Sequence, residues 1–270
     1  MRESFEAVRA KGECAVIPYV CAGDPSLEAT AAALKAIDSN GADIIELGVP
    51  YSDPLADGPV IQAAATRALA GGAKLQGVLD MLAGVSDELT SPVVLFTYYN
   101  PIIAFGLEEF MAAARKAGAA GLLVPDLPLE ETENIRAAAA AAGLEMVLLV
   151  TPTTPKERMA AIAEKSDGFV YLVSVAGVTG TRTKVAEGVE DLIATLKSVT
   201  DKPVAVGFGI SGGEQAAKVR GWGADGVIAG SAFVRALGEA EGGAEEGVAK
   251  AGQLAREIKD AVLALDSVAS

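Results

Sequence analysis

The stretch Asp43–Pro59, DIIELGVPYSDPLADGP, joins an apolar run to a loop rich in Pro, Gly and Asp. Glu46 lies inside the apolar run, between Ile45 and Leu47, where a strand would bury it. A buried carboxylate is costly unless it is paired or functional, because desolvation disfavours its charged form. With Asp57 in the following loop, it makes a candidate acid/base pair. Residue types alone fit a second interpretation, in which Glu46 caps a barrel end and Asp57 caps the helix starting near Pro59.

Outward from this stretch, short apolar runs alternate with helical patterns along the whole chain. The eight predicted strands are Ala15–Val20, Asp43–Gly48, Pro92–Tyr98, Gly121–Pro125, Met146–Val150, Phe169–Ser174, Pro203–Phe208 and Gly226–Ala229. Such alternation predicts parallel strands, and eight of them predict an α/β fold of the (β/α)₈ TIM-barrel type. We expect one domain over residues 1–270, with an extra N-terminal helix and inserted short helices. An open doubly wound sheet is the alternative, and the Gly-rich ends of strands seven and eight count against it.

Composition narrows the classes of partner and chemistry. The chain has 270 residues, 51% of them hydrophobic, and a formal charge of −14. This acidity argues against nucleic acid and anionic membrane surfaces as partners. A phosphorylated substrate remains compatible, because backbone N–H groups bind phosphate without local cations.

The chain contains no histidine, which excludes Ser-His-Asp and Cys-His catalysis and every His-ligated metal site. Acid/base chemistry near neutral pH then falls to carboxylates, Tyr, Lys or Cys. Cys14 and Cys21 lie at the two ends of one predicted strand, about 23 Å apart and beyond disulfide reach. We therefore expect reduced thiols and a cytoplasmic protein. We expect no signal peptide, because residues 1–11 are charged, and no membrane span, because no apolar run is long enough.

Gly-rich loops follow the last three predicted strands. Strand six leads into the long loop Val175–Ala186, strand seven ends in GFGIS with a helix starting at Ser211, and strand eight ends in AGS. Glycine lets a ligand approach the backbone, and a helix that starts there offers free N–H groups. This arrangement after strands seven and eight is typical of a barrel phosphate site, although Gly and Ser are also ordinary turn and cap residues.

The segment ELGVPYSDPLADGP closely resembles the signature of the tryptophan synthase alpha chain family, whose members cleave indole-3-glycerol phosphate, and the resemblance covers nearly the whole chain. It implies that Glu46 and Asp57 are catalytic. The implied substrate-binding residues are Tyr19, Ile61, Leu123, Tyr171, Thr179 and Phe208, with Thr179 on a lid that meets the catalytic Asp. The implied phosphate-binding residues are Gly180, Gly209, Gly230 and Ser231. The implied partner contacts are Pro50, Asp53, Asn100 and Pro128. Tyr51 stands where Phe is common in the family, and little consequence is expected.

The resemblance also implies a mechanism and a partner. No predicted strand carries the Lys of a Schiff-base aldolase, whereas the indole ring accepts electrons once its C3 is protonated. Glu46 is assigned to proton transfer at C3 and at the side-chain hydroxyl, and Asp57 to the ring N–H. The chain is expected to need no metal or cofactor and to pass indole to a pyridoxal-phosphate beta subunit in an α₂β₂ heterotetramer. Two alternatives remain: another phosphate-binding barrel isomerase or lyase, and a catalytically silent allosteric partner of a beta subunit.

Overall fold

The computed structural model describes residues 1–173, 182–207 and 209–264, with the backbone alone for 182–187. Its strands are β1 Ala15–Cys21, β2 Ile45–Gly48, β3 Val93–Phe96, β4 Ala119–Leu123, β5 Glu145–Val150, β6 Val170–Val173, β7 Val204–Gly207 and β8 Gly226–Ala229. All neighbours pair in parallel and in chain order, and β1 pairs with both β2 and β8. The predicted (β/α)₈ barrel is therefore confirmed, and the open sheet is excluded.

Helices surround this barrel, at least one after each strand. They are α1 Arg2–Ala10, α2 Leu27–Ser39, α3 Pro59–Ala70, α4 Leu75–Val85, α5 Tyr99–Phe105, α6 Leu107–Lys116, α7 Thr132–Ala141, α8 Lys156–Lys165, α9 Arg182–Lys197, α10 Gly213–Gly221, α11 Ser231–Gly238 and α12 Gly243–Ala264. One-turn 3₁₀ helices occupy Ser86–Glu88 and Leu129–Glu131. Helix α1 precedes the first strand, and β2, β3 and β8 are each followed by two helices. This confirms the N-terminal addition and the inserted short helices.

Inward-pointing side chains fill the barrel, and α1 covers the end at which the strands begin. Phe5 of α1 is fully buried, and its ring centroid lies 5.2 Å from that of Phe169, just before β6. The interior cluster also contains Ala15, Ile17, Ile44, Val94, Leu123, Val147, Ala205 and Ile228. Apolar packing thus closes the N-terminal end, and the opposite end is left to carry a site, as is usual for this fold.

Carboxylates at the N-terminal end of the barrel have hydrogen-bond partners. Asp43 accepts a hydrogen bond from the backbone N–H of Val16 at 2.8 Å and one from Lys259 Nζ at 2.9 Å, which ties α12 to the barrel. Asp225 accepts from the N–H of Val204 at 2.9 Å. These are structural carboxylates, and they provide a contrast for Glu46.

Two segments differ from the sequence-based expectation after β3 and β7. Strand β3 ends at Phe96 instead of Tyr98, and α5 follows, a helix that was not predicted. The side chain of Asp126 accepts a hydrogen bond from the N–H of Tyr99 at 3.0 Å and so stabilises the start of α5. Helix α10 begins at Gly213 instead of Ser211, because the backbone of Gly212 is extended (φ 174°).

The predicted loop Val175–Ala186 was too long at its C-terminal end. Helix α9 begins at Arg182, so residues 182–186 are helical. The rest of that loop, including Thr179 and Gly180, lies outside the described residues, as does Phe208.

Candidate active site

Glu46 lies on β2 in the interior of the molecule. It is in register with Tyr19 on β1 and Val94 on β3, and it is 1% exposed. Its Oε1 atom makes no hydrogen bond to any part of the chain that the structure describes. Burial raises the pKa of this carboxyl to about 8. Glu46 is therefore mostly protonated at neutral pH and available as a proton donor.

Asp57 lies in the loop between β2 and α3, closer to solvent than Glu46. Its Oδ2 atom accepts a hydrogen bond from the hydroxyl of Tyr98 at 3.0 Å. Burial raises the pKa of Asp57 to about 6, and the Tyr98 hydrogen bond opposes that rise. Asp57 is therefore mostly ionised at pH 7, so the two carboxyls hold opposite protonation states.

Neither carboxyl fits the capping interpretation that the residue types had allowed. Helix α3 begins with Gly58 at its N-cap and Pro59 in its first turn, and no side chain caps it. The Asp57 carboxylate is directed at Tyr98 instead. The Oε1 atom of Glu46 has no hydrogen-bond partner among the described residues, whereas Asp43 and Asp225 each accept a hydrogen bond from a backbone N–H. The capping role is therefore excluded for Asp57 and unsupported for Glu46.

Two tyrosines lie beside Glu46, each passing over a glycine of the neighbouring strand. A Cβ atom on Gly48 would lie 2.1 Å from the hydroxyl of Tyr19, and one on Gly207 would lie 2.7 Å from that of Tyr171. Burial raises the pKa of both phenols well above the usual value, and the nearby charges of Asp57 and Glu46 raise it further. Both tyrosines are therefore neutral groups that shape the site.

We expect Gly48→Ala to destabilise the fold by roughly 1–3 kcal/mol, because the added methyl group has no room beside the buried Tyr19 ring. Urea unfolding measures the change. Gly84→Ala is the matched control: Gly84 is exposed on α4, and nothing lies within 4 Å of a Cβ added there. That control should gain roughly 0.5–1 kcal/mol. Equal stabilities for Gly48→Ala and wild type would show that Tyr19 is free to move.

The predicted indole-pocket residues fall into two groups. Ile61 on α3 packs in the cluster that contains Tyr19, and a Cβ atom on Gly230 would lie 3.6 Å from Ile61 Cδ1 and 3.8 Å from Tyr19. These residues therefore meet at one place above β1 and β8. Leu123, at the end of β4, is fully buried in the barrel interior, where Tyr171 packs against its cluster. A role for these residues in substrate binding stays a prediction.

The predicted phosphate-binding residues that are described lie at the carboxyl ends of β7 and β8. Gly230 is the N-cap of α11 and Ser231 is its first residue, and no side chain of the described residues caps this helix. Gly209 follows β7 with φ +42°, a value that favours glycine. One backbone N–H group at the start of α10 already has a partner, because Glu257 accepts a hydrogen bond from the N–H of Gly213 at 2.9 Å. Free N–H groups at the start of α11 suit a phosphate.

The predicted partner contacts differ in accessibility. Asp53, Asn100 and Pro128 are exposed, whereas Pro50 is buried in the isolated chain. Large apolar side chains are exposed in the same two segments as Asp53 and Asn100: Leu55 is 90% exposed and Ile103 is 48% exposed. This face is suited to a partner, and the individual contacts stay predictions.

Sequence reasoning missed Tyr98 and the hydrogen bond of Tyr51. The Tyr51 hydroxyl accepts a hydrogen bond from Asn100 Nδ2 at 3.1 Å, a contact that Phe lacks. The Tyr-Tyr-Asn sequence at 98–100 was a signal of polar character after β3, but nothing local pairs Tyr98 with Asp57.

The described residues contain neither a candidate metal site nor a membrane-spanning helix. No group of three or more His, Cys, Asp or Glu side chains among them is arranged to hold a metal ion. No helix in the described ranges is long and apolar enough to cross a membrane.

Solved structures with this fold include tryptophan synthase subunits. The tryptophan synthase subunit alpha of Legionella pneumophila str. Paris is 35% identical, with a TM-score of 0.89 and coverage of 97% of each chain. A chain of the tryptophan synthase complex from Pyrococcus furiosus is 37% identical, with a TM-score of 0.83, and the match covers 91% of this chain and 98% of that one.

Sequence comparison gives the same result at higher identity. The tryptophan synthase alpha chain of Cyanothece sp. is 56% identical over 262 residues, which are 97% of each chain. The family model described as tryptophan synthase alpha chain matches residues 5–263. The buried Glu46 and the loop that carries Asp57 lie within that match. This chain therefore belongs to the tryptophan synthase alpha chain family.

Proposed function

We propose that Glu46 and Asp57 carry out the lyase reaction of this family, the cleavage of indole-3-glycerol phosphate to indole and glyceraldehyde 3-phosphate. The observation that carries the assignment is the environment of Glu46. Its carboxyl lies on a barrel strand, the residue is 1% exposed, and its Oε1 atom accepts no hydrogen bond from any described residue. Such a group costs stability and is retained where function requires it. The alternative of another phosphate-binding barrel isomerase or lyase has no comparable support.

The reaction needs proton transfers and no external electron acceptor. Glu46 donates a proton to C3 of the indole ring. Asp57 accepts a hydrogen bond from the ring N–H while positive charge develops on the ring nitrogen. The bond from C3 to the side-chain carbinol carbon then breaks, and its electrons return to the ring and regenerate indole. The carbinol hydroxyl loses its proton to Glu46 and becomes the aldehyde of glyceraldehyde 3-phosphate. Atoms and electrons balance within the substrate, and Glu46 ends protonated, as it began.

The two pKa values predict a bell-shaped pH dependence of kcat/KM. The active form has Glu46 protonated and Asp57 ionised. Activity should fall as the pH drops through about 6, where Asp57 takes up a proton. It should also fall as the pH rises through about 8, where Glu46 loses one. Steady-state rates from pH 5 to 9 test this, and a profile that is flat from pH 5 to 9 would contradict the assignment of both groups.

Substrate binding is divided between an apolar pocket and the start of α11. The indole ring is proposed to lie against Tyr19, Ile61 and Tyr171, with Leu123 below them. The phosphate is proposed to be held by backbone N–H groups at Gly209, Gly230 and Ser231, with Gly180 outside the described residues. Thr179 and Phe208, also outside them, keep their proposed roles in the lid and the pocket.

We expect Gly230→Val to raise KM at least roughly 10-fold while the chain stays folded. The side chain would enter the space between Ile61 and Tyr19, and φ −106° lies outside the left-handed region that favours glycine. Weaker protection by inorganic phosphate against thermal unfolding should accompany the rise in KM. Gly84→Val on exposed α4 is the control and should leave KM unchanged. An unchanged KM for Gly230→Val would remove the start of α11 from the phosphate site.

The partner proposed for this chain is a tryptophan synthase beta subunit in an α₂β₂ heterotetramer, and pyridoxal phosphate is proposed to reside in that subunit. Leu55 and Ile103 support the choice of face, because exposed apolar side chains are typical of interaction surfaces. Asp53 lies two residues from Leu55 in the same loop, Asn100 shares α5 with Ile103, and Pro128 is exposed in the loop after β4. Pro50 is buried, so its proposed contact requires the loop to rearrange. The cytoplasm is the proposed compartment, compatible with the free thiols of both cysteines.

The deciding experiment is incubation with indole-3-glycerol phosphate, with and without a beta subunit, while indole release is followed. Release by wild type and its loss in Asp57→Asn would support the proposal. No release under either condition would instead support the catalytically silent alternative.

A further inference from the structure

Tyr98 connects the candidate catalytic loop to the end of β3. Its side chain is 3% exposed, and its hydroxyl donates to Asp57 Oδ2 at 3.0 Å. The same hydroxyl accepts a hydrogen bond from the backbone N–H of Ala56 at 3.0 Å. The Tyr98 hydroxyl oxygen therefore holds both the Asp57 carboxylate and the backbone N–H of the residue before it, Ala56.

Tyr51 supports Tyr98 from the other end of the same loop. The two ring centroids lie 5.2 Å apart at an interplanar angle of 33°. The hydroxyl of Tyr51 accepts a hydrogen bond from Asn100 Nδ2 at 3.1 Å. Since Asn100 belongs to α5, the loop from β2 is attached to the segment after β3 at two points, Tyr98 and Asn100.

Helix α5 is in turn attached to the loop after β4. The backbone N–H of Tyr99 donates to the carboxylate of Asp126, at 3.0 Å to Oδ1 and 3.3 Å to Oδ2. A continuous series of contacts thus runs from Asp126 through α5 and both tyrosine rings to Asp57.

We propose that Tyr98 and Tyr51 are positioning residues for the lyase reaction. Tyr98 holds the Asp57 carboxylate in its position and in its ionised form, and Tyr51 connects Tyr98 to α5 through its contact with Asn100. This inference rests on the proposed function of Asp57. It assigns Tyr51 a role through its hydroxyl, where Phe would keep the ring contact and lose the attachment to Asn100.

The electrostatic setting explains why Asp57 needs this hydrogen bond. Among the described residues, the other titratable groups that interact with Asp57 or lie beside it are acidic: Glu46 on β2, Tyr19 and Cys21 on β1, and Tyr171 on β6. Burial raises the pKa of Asp57, and the hydrogen bond from Tyr98 lowers it. Removal of the Tyr98 hydroxyl would therefore favour the protonated, inactive form of Asp57.

The first test compares the pH profiles of kcat/KM for wild type, Tyr98→Phe and the control Tyr99→Phe. For Tyr98→Phe, the acid limb should move to higher pH by on the order of one pH unit, since hydrogen bonds to charged groups are strong. The alkaline limb, set by Glu46, should stay. Tyr99→Phe keeps its backbone bond to Asp126 and should leave both limbs in place. A uniform loss of activity with unmoved limbs would show a merely structural role and overturn the inference.

The second test is a double-mutant cycle on Tyr51 and Asn100. Tyr51→Phe and Asn100→Ala should each reduce kcat/KM near the acid limb by roughly 2–10-fold, the range for one net hydrogen bond. The double variant should lose no more than either single variant, because both substitutions break the same contact. Independent, multiplying effects, or no effect of Tyr51→Phe, would remove Tyr51 from the proposal.

A measurement without substrate separates this inference from the proposed function. Carbon-13 NMR of Asp-labelled protein, with Asp57→Asn to identify the resonance, gives the pKa of Asp57 directly in wild type and Tyr98→Phe. If wild type released no indole, the proposed function would fail, while a raised pKa of Asp57 in Tyr98→Phe would still support the positioning contact. If wild type is active and the pKa of Asp57 is unchanged in Tyr98→Phe, only the positioning role of Tyr98 fails.

Discussion

Replacing Glu46 by Gln is expected to reduce kcat for indole release by roughly 10²–10⁴-fold, the usual contribution of a general acid or base. Gln has nearly the same shape as Glu but has no acidic proton to deliver to C3. The chain has no His to take over this task. Asp57 does not replace Glu46, because its carboxylate is bound to Tyr98 in the loop. Steady-state and single-turnover indole release measure the effect.

The control for this variant is Glu157→Gln, which makes the same substitution on the exposed first turn of α8. It should keep the wild-type rate. Far-UV circular dichroism and urea unfolding should show that Glu46→Gln is folded. A folded Glu46→Gln variant with a rate within about threefold of wild type would refute the mechanism.

The barrel was predictable from sequence because its signal is repetitive. Apolar runs such as Ile44–Gly48 and Gly226–Ala229 each end in turn residues and are followed by helical patterns, and closure follows from their number. Glu46 could be singled out from sequence for a related reason, since a lone carboxylate between Ile45 and Leu47 is costly wherever the strand is buried. The structure confirms that it is buried.

The surroundings of Asp57 were not predictable, because they depend on contacts between distant parts of the chain. Tyr98 reaches Asp57 only because β2 and β3 pair in a particular register. Helix α5 was missed because the predicted third strand was extended to Tyr98, whereas the carboxylate that binds the N–H of Tyr99 belongs to Asp126 in the next loop. The start of α10 likewise involves a distant residue, since Glu257 of α12 accepts a hydrogen bond from the N–H of Gly213.

Glu46 should also make the stability of the chain fall as the pH rises. Its pKa is about 8 in the folded chain, above its ordinary value of 4.5. Between these values the folded state holds a proton that the unfolded state has released. The stability that this proton provides is fully present below about 4.5 and is lost progressively as the pH rises through about 8.

The expected magnitude is large enough to measure by urea unfolding. Each pH unit within this window changes the unfolding free energy of wild type by about 1.4 kcal/mol. The unfolding free energy of Glu46→Gln, relative to that of wild type, should therefore rise by on the order of 3–4 kcal/mol between pH 5 and pH 8. All other groups titrate alike in the two proteins and cancel in the difference. Asp57→Asn provides a comparison in which the stability changes over a lower pH range, because the pKa of Asp57 rises only from 3.8 to about 6.

The two variants therefore separate the two carboxyls without any substrate. The Glu46→Gln difference should continue to grow up to about pH 8, whereas the Asp57→Asn difference should level off near pH 6. A Glu46→Gln difference that is the same at pH 5 and pH 8 would mean that Glu46 titrates normally, despite its burial. The general-acid role would then lose its physical basis, because a carboxyl with an ordinary pKa is ionised at neutral pH and has no proton to give to the indole ring.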